Sequence, residues 1–143
     1  MEDFKSRLLE GLQWLEEAAR AWTREVLNAL VDSAKREPKI IITNALVPAK
    51  GLIFYTPISA EVAKEILSNK TEIFSFVGHP STAKVLSELS GKEIQVNRSE
   101  YKPGAGDIVL IVRLKKRLPA PQEAEVKLED LEFALARYAV VLE

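Results

Sequence analysis

The sequence contains no cysteine and a single histidine. The first absence removes disulfides, thiolate metal sites and thiol nucleophiles. The two together argue against a zinc centre, whose ligands are mostly cysteine and histidine. No apolar run approaches the ~20 residues that cross a bilayer. The first residues are charged and amphipathic, without the continuous apolar stretch of a signal peptide. The expectation is therefore a soluble, cytoplasmic protein with no membrane partner. Neither sign of charge is in excess: 20 lysines and arginines face 21 aspartates and glutamates, a formal net charge of −1. Such a chain is no polycation for duplex DNA, and any anion site must come from local clustering. Also missing are a glycine-rich phosphate loop, a serine–histidine–aspartate pattern, a paired-carboxylate signature, internal repeats and low-complexity tracts.

What remains is a chain of 143 residues, 47% hydrophobic and 29% charged, enough for one domain with a real core. Residues 3–36 predict one long amphipathic helix. Phe4, Leu8, Leu12, Leu15, Ala19, Trp22, Val26, Leu30 and Ala34 recur at three- and four-residue spacing, with charges such as Glu16, Glu17, Arg20 and Arg24 between them. At 1.5 Å per residue this helix would run on the order of 50 Å, longer than a small domain is wide. Either it breaks, with Gly11 a place for a bend, or it reaches beyond its own domain. Its apolar stripe suits packing on the domain first, docking to a second chain next, and a lipid surface last, because acidic residues lie among the basic ones.

Pro38 ends that helix. Strands are expected at residues 39–44, 52–56 and 71–77, with a helix capped by Ser59 running to about Leu67. A further helix runs from Pro80 to about Ser90 and stops at Gly91. Glu93 to Val96 reads as a short strand or extended segment. Ile108 to Leu114 is the most apolar strand and is expected at the centre. A short helix around Leu128 to Phe133 and a strand over residues 137–142 close the chain. Strands and helices alternate, so the expected class is α/β, a mixed sheet of about five strands flanked by helices and preceded by the long N-terminal amphipathic helix. Residues 1–38 form the helical extension and 39–143 the domain.

The lone histidine stands in Phe74-Ser75-Phe76-Val77-Gly78-His79-Pro80-Ser81-Thr82. A strand ends, Gly78 permits a sharp turn, and Pro80 opens a helix where a missing N–H costs nothing. His79 should therefore sit beside the unpaired N–H groups of a helix start, which attract anions and phosphates above all. Ser81 and Thr82 add hydroxyls at the same end. Read blandly, the same residues are an ordinary helix start. Arg98, on a polar loop, and Arg117, past the central strand, could share this face, since ligands of open α/β sheets bind outside strand ends. Arginine grips phosphate through paired hydrogen bonds. Lys115 and Lys116 read as a solvated strand end.

Taken together, Thr43-Asn44-Ala45, Gly78-His79-Pro80-Ser81-Thr82, Asn97-Arg98 with Glu100, Gly106-Asp107 and Arg117-Leu118-Pro119 come in an order and spacing that resembles the viral anti-CRISPR ring nuclease family. That family counters type III CRISPR immunity and has relatives in prokaryotic genomes. The resemblance covers about Lys39 to Glu143. It implies an α/β homodimer in the prokaryotic host cytoplasm, with one ligand site across the two-fold interface. The ligand would be cyclic tetra-adenylate, cut without metal or cofactor to linear di-adenylate carrying a 2′,3′-cyclic phosphate. His79 would be the general acid, Arg117 a second catalytic group and Arg98 a ligand contact. Asn44, Gly78, Ser81 and Thr82 would complete the binding set. Two positions depart from the family pattern. Ala120 stands where many members carry a catalytic glutamate, and Val47 where a serine is common. Three readings follow: a ring nuclease, a catalytically weak binder that sequesters or senses the messenger and uses its helix for oligomerisation or partner contact, and a scaffold that binds no cyclic oligoadenylate.

Overall fold

The computed structural model describes residues 2–115 and 126–143. The first helix, α1, is continuous from Glu2 to Arg36. After it come β1 (Lys39–Thr43), β2 (Gly51–Ile58), α2 (Ala60–Ser68), β3 (Glu72–Ser75), α3 (Pro80–Ser90), β4 (Ile108–Leu114) and β5 (Leu131–Val141). The strands form one five-stranded sheet in the order β2-β5-β4-β1-β3. β1 pairs in parallel with β3 and β4, while β5 runs antiparallel to both β4 and β2. The protein is thus an α/β fold on a mixed sheet, and the most apolar strand, β4, lies in the middle.

Successive strand residues face opposite sides of a sheet, and the two sides here differ in cover. Ile40, Ile42, Leu110, Val112 and Leu135 face the helices. They pack with Leu30 and Ala34 of α1, Ala63, Ile66 and Leu67 of α2, and Ala83, Val85 and Leu86 of α3. Each such side chain, fully buried, contributes roughly 1.5–3 kcal/mol. Ile41, Val109, Ile111, Ala134, Ala136 and Tyr138 face the other way, and there the cover is loop: Val47 and Ala49 after β1, and Tyr101 before β4.

Local sequence explains the element ends. Ser59 Oγ accepts the Val62 N–H at 3.2 Å and caps α2. Gly91, at φ 70°, closes α3 in the left-handed region that only glycine enters cheaply. Pro57 sits in β2, an edge strand, where a missing donor does least harm.

Three elements differ from the sequence reading. The expected helix at 128–133 is a single 3₁₀ turn, Leu128–Asp130, and β5 starts directly after it at Leu131, six residues before the expected strand. A short apolar run serves helix and strand equally, and pairing with β4 over its whole length decided it. The segment at 93–96, read as a short strand or extended segment, is the latter, with one bridge, Val77 to Val96, alongside the edge. The strand expected at 71–77 is the four residues of β3.

Only the last third of α1 touches the domain. Leu27, Leu30, Val31 and Ala34 pack on it, whereas Phe4, Leu8, Leu9, Leu12, Trp14 and Leu15 are exposed. The helix is unbroken through Gly11 and reaches beyond its own domain. Its C-terminal end is held by Lys70, whose side chain is 1% exposed. The Lys70 ammonium donates to the carbonyls of Ala34 and, at 2.5 Å, Glu37, supplying the positive charge that a helix C-terminus favours. Burial lowers the Lys70 pKa, Glu37 opposes that shift, and nearby Lys92 adds to it.

Candidate functional site

β1, β3 and β4 are parallel, so their C-terminal ends open on the same side of the sheet. Register sets the levels. Ile42 pairs with Ser75, and the Phe76 N–H continues the ladder to the Ile42 carbonyl at 2.8 Å. Asn44, leaving β1, and Val77-Gly78-His79, leaving β3, therefore emerge side by side. Thr43 Oγ1 donates to the Ala45 carbonyl at 2.9 Å and braces the loop that carries the exposed Asn44.

His79 is the N-cap residue of α3. Its backbone is extended (φ −105°, ψ 115°), its carbonyl accepts the Ala83 N–H at 3.1 Å, and Pro80 occupies the first turn. The imidazole does not cap the helix. Its Nδ1 is shut away from solvent, and the residue as a whole is half-buried. The α3 start points its positive dipole end at this position.

Arg98 reaches the same spot through the backbone. The Asn97 N–H donates to the Val77 carbonyl at 2.8 Å, next to the Val77–Val96 bridge, so residues 96–97 run along the extension of β3. Arg98 Nε then donates to the Gly78 carbonyl at 3.1 Å. The contact explains the glycine: a Cβ on residue 78 would lie 3.2 Å from Arg98 Cγ. Asn97 Oδ1 accepts the Ser99 N–H at 2.9 Å and the Ser99 hydroxyl, which stiffens the turn around Arg98. Arg98 is exposed.

The structure thus brings Asn44, Gly78, His79 and Arg98 to one end of the sheet. Ser81 is half-buried in the first turn of α3 beside them. Thr82 stands apart, because its side chain is 4% exposed and turned into the core with Val85 and Leu86. The helical period explains this, since residues 82, 85, 86 and 89 share one face. Arg117 and Ala120 lie outside the described residues; β4 directs the chain toward this same end. Among the described residues, no group of three or more histidine, cysteine, aspartate or glutamate side chains could hold a metal ion.

One set of residues was not foreseen from the sequence. Tyr101 packs between Phe76 (ring centroids 5.4 Å apart) and Tyr138 (6.1 Å). Its hydroxyl donates to Asp107 Oδ2 at 2.6 Å, which also accepts the Gly104 N–H at 2.9 Å. The Tyr138 hydroxyl donates to the Val47 carbonyl. These bonds pin the loops after β1 and before β4 under the site. Burial raises the Tyr101 pKa above its usual range, and the adjacent Asp107 carboxylate adds to the effect; burial raises that of Tyr138 too. The signal was the Asp107 that follows the Pro103–Gly106 turn.

Of the grouped residues, Asn44 and Arg98 are exposed while Gly78, His79 and Ser81 are half-buried. A hollow of about 530 Å³ lies elsewhere, among Tyr55, Pro57, Ile111, Arg113, Lys115 and Phe133, and includes none of the residues grouped here. Arg113 there is paired with Glu132 at 2.5 Å.

Residues 40–140 match the protein family described as STIV B116-like. An uncharacterized protein of Acidianus two-tailed virus, ORF117, is 39% identical over 66 residues, 46% of this chain and 56% of the relative, so the chain spans little more than half of that relative's length. Uncharacterized protein 26 of Sulfolobus islandicus filamentous virus (isolate Iceland/Hveragerdi) is 37% identical over 98 residues, 64% of this chain and 80% of the relative. Among solved structures, B116 of Sulfolobus turreted icosahedral virus has a TM-score of 0.53 and 21% identity, covering 69% of this chain and 98% of that one, which is a likeness of fold. The family match begins after α1.

Proposed function

The chain belongs to the STIV B116-like family, and from that premise we propose that it is a metal-independent ring nuclease acting on cyclic tetra-adenylate, the messenger of type III CRISPR immunity. The observation that supports this most is the placement of His79 at the start of α3 with Arg98 bonded to the adjoining Gly78 carbonyl and Asn44 emerging alongside. A phosphodiester needs a proton donor for its leaving oxygen and cationic or N–H groups for its charge, and these are the groups gathered here.

The reaction requires little else. A ribose 2′-oxygen attacks the neighbouring phosphorus, the bond from phosphorus to the 5′-oxygen breaks, and a 2′,3′-cyclic phosphate forms. The 2′-hydroxyl proton leaves to water. His79 gives its proton to the departing 5′-oxygen and recovers one from solvent, a role worth roughly 10²–10⁴ in rate. Tethering of the attacking hydroxyl supplies much of the remainder. Arg98 and the α3 N–H groups stabilise charge on the phosphoryl oxygens as it builds, and Arg117 adds to this after β4. Two such cuts turn the ring into two linear di-adenylates. A ring of four identical nucleotides has two-fold symmetry, and so does a pair of identical chains, so two half-sites facing each other would enclose it.

The test is single turnover, with protein in excess over labelled cyclic tetra-adenylate and EDTA present, beside a His79→Ala control and a binding gel. Cleavage in the wild type that falls at least ~10²-fold in the control is expected. Unchanged cleavage by His79→Ala, or no binding at all, overturns the proposal. One residue favours a second reading. Ala120 replaces a family glutamate, and tight binding with little turnover would make the protein a sequestering or sensing module.

A further inference from the structure

The exposed part of α1 carries an apolar seam that the domain does not use. Leu12, Ala19 and Val26 alternate with Leu8, Leu15 and Trp22 at spacings of four and three, the pattern of the a and d positions in a coiled coil. At 3.6 residues per turn this seam lies roughly a quarter turn away from the stripe of Leu27, Leu30, Val31 and Ala34 that packs on the domain. The domain packs only on the end of α1, so Leu8, Leu12, Leu15 and Trp22 of the seam stay exposed and do not close on the chain that bears them.

We infer that the seam pairs with the same seam of a second copy, as a parallel, in-register two-helix coil over residues 8–26. Area, charge and shape support this occupant. Leu8, Leu12, Leu15 and Trp22 of the seam, with Leu9 flanking it, are 43–63% exposed. Together they offer roughly 500 Å² of apolar side chain per copy. A stable interface takes about 800 Å² per partner, somewhat over half of it apolar. Charge sets the direction. Antiparallel overlap of residues 8–26, centred at residue 17, pairs e positions with e positions and would set Glu16 of one copy beside Glu16 of the other. Parallel pairing sets Glu16 against Gly11 and Ala18, which carry no charge and let the helices approach closely. A parallel coil has its two-fold axis along its own length and delivers both domains to the same end. This inference stands on α1 alone and does not depend on the ligand.

The absence of cysteine makes the test clean. Single substitutions Leu8→Cys, Leu12→Cys and Leu15→Cys fall on exposed positions that the domain does not need, and Gln13→Cys, off the seam, is the control. In the full-length protein under mild oxidation, each of the three seam variants should convert most of its chains to a covalent dimer, and the control few. Adding Leu12→Glu and Leu15→Glu to the Leu8→Cys chain should abolish the cross-link. Cross-linking at one seam position alone overturns the parallel arrangement. Seam variants that cross-link no more than Gln13→Cys overturn the pairing itself, and co-sedimentation of that uncross-linked protein with lipid vesicles would assign the seam to a lipid surface instead.

Discussion

Replacing Lys70 by methionine tests how α1 is anchored. Methionine keeps the unbranched stem and its packing but removes the ammonium. Two carbonyls at the end of α1 then lose a charged donor, that of Ala34 in the interior and that of Glu37 nearer the surface. A buried carbonyl left unmade costs about 1–3 kcal/mol. The Glu37 carbonyl regains water and adds less, so the sum is about 3 kcal/mol. For a chain of this length that lowers Tm by about 10 °C. Urea or thermal unfolding followed by circular dichroism reads it directly. The pH dependence adds a second check. The folded pKa of Lys70 is depressed, so as pH rises toward the ordinary lysine value of about 10.5 the unfolded chain holds the proton that the folded chain has released. Unfolding then binds protons, and wild-type stability gains on the variant across that window. A variant within about 1 kcal/mol of wild type, or a gap that narrows as pH rises to that value, would refute the reasoning.

The remaining predictions concern the loops and the turn beneath the site. Tyr101→Phe should cost about 1–2 kcal/mol at neutral pH through the Asp107 carboxylate it strands. It should also flatten the loss of stability above about pH 10, because unfolded Tyr101 ionises there while folded Tyr101 keeps its proton; parallel alkaline slopes in denaturant titrations would sink the claim. Gly78→Ala should leave the fold within about 1 kcal/mol of wild type, because the Cβ presses on a side chain that can move. It should nevertheless weaken cyclic tetra-adenylate binding about 10-fold by displacing Arg98. Unchanged affinity by titration, in a protein where Arg98→Ala binds poorly, would contradict it.

Much of this was legible in the sequence because the signals were local. The α1 periodicity, the Ser59 cap, the Pro80 start and the Gly91 stop are each decided within one turn of helix, and all stand in the structure. What failed depended on distant pairing. Residues 131–136 are strand because β4 pairs with all of them and β2 flanks them from Phe133 onward, a fact no local window contains. At the site, the pairing of β1 with β3 brings Asn44 and His79 together, and that strand order was not read from the sequence. The approach of Arg98 rests on one bridge and one hydrogen bond beyond a sheet edge, which carry no pattern of their own. Thr82 was misplaced although the helical period already assigned it to the inner face.

Arg98 is held by two backbone carbonyls: the Asn97 N–H donates to Val77 O, and its own side-chain Nε donates to Gly78 O. A carbonyl is present whatever side chain its residue bears. The address of the arginine is therefore written in the backbone, and neighbouring positions such as Gln95 and Val96 can drift through many residue types without moving it. Proline at 97 would delete the donor, and a side chain at 78 would press on the guanidinium stem. A lineage under pressure to change its surface could rewrite most of this loop and still present the same positive charge at the same place.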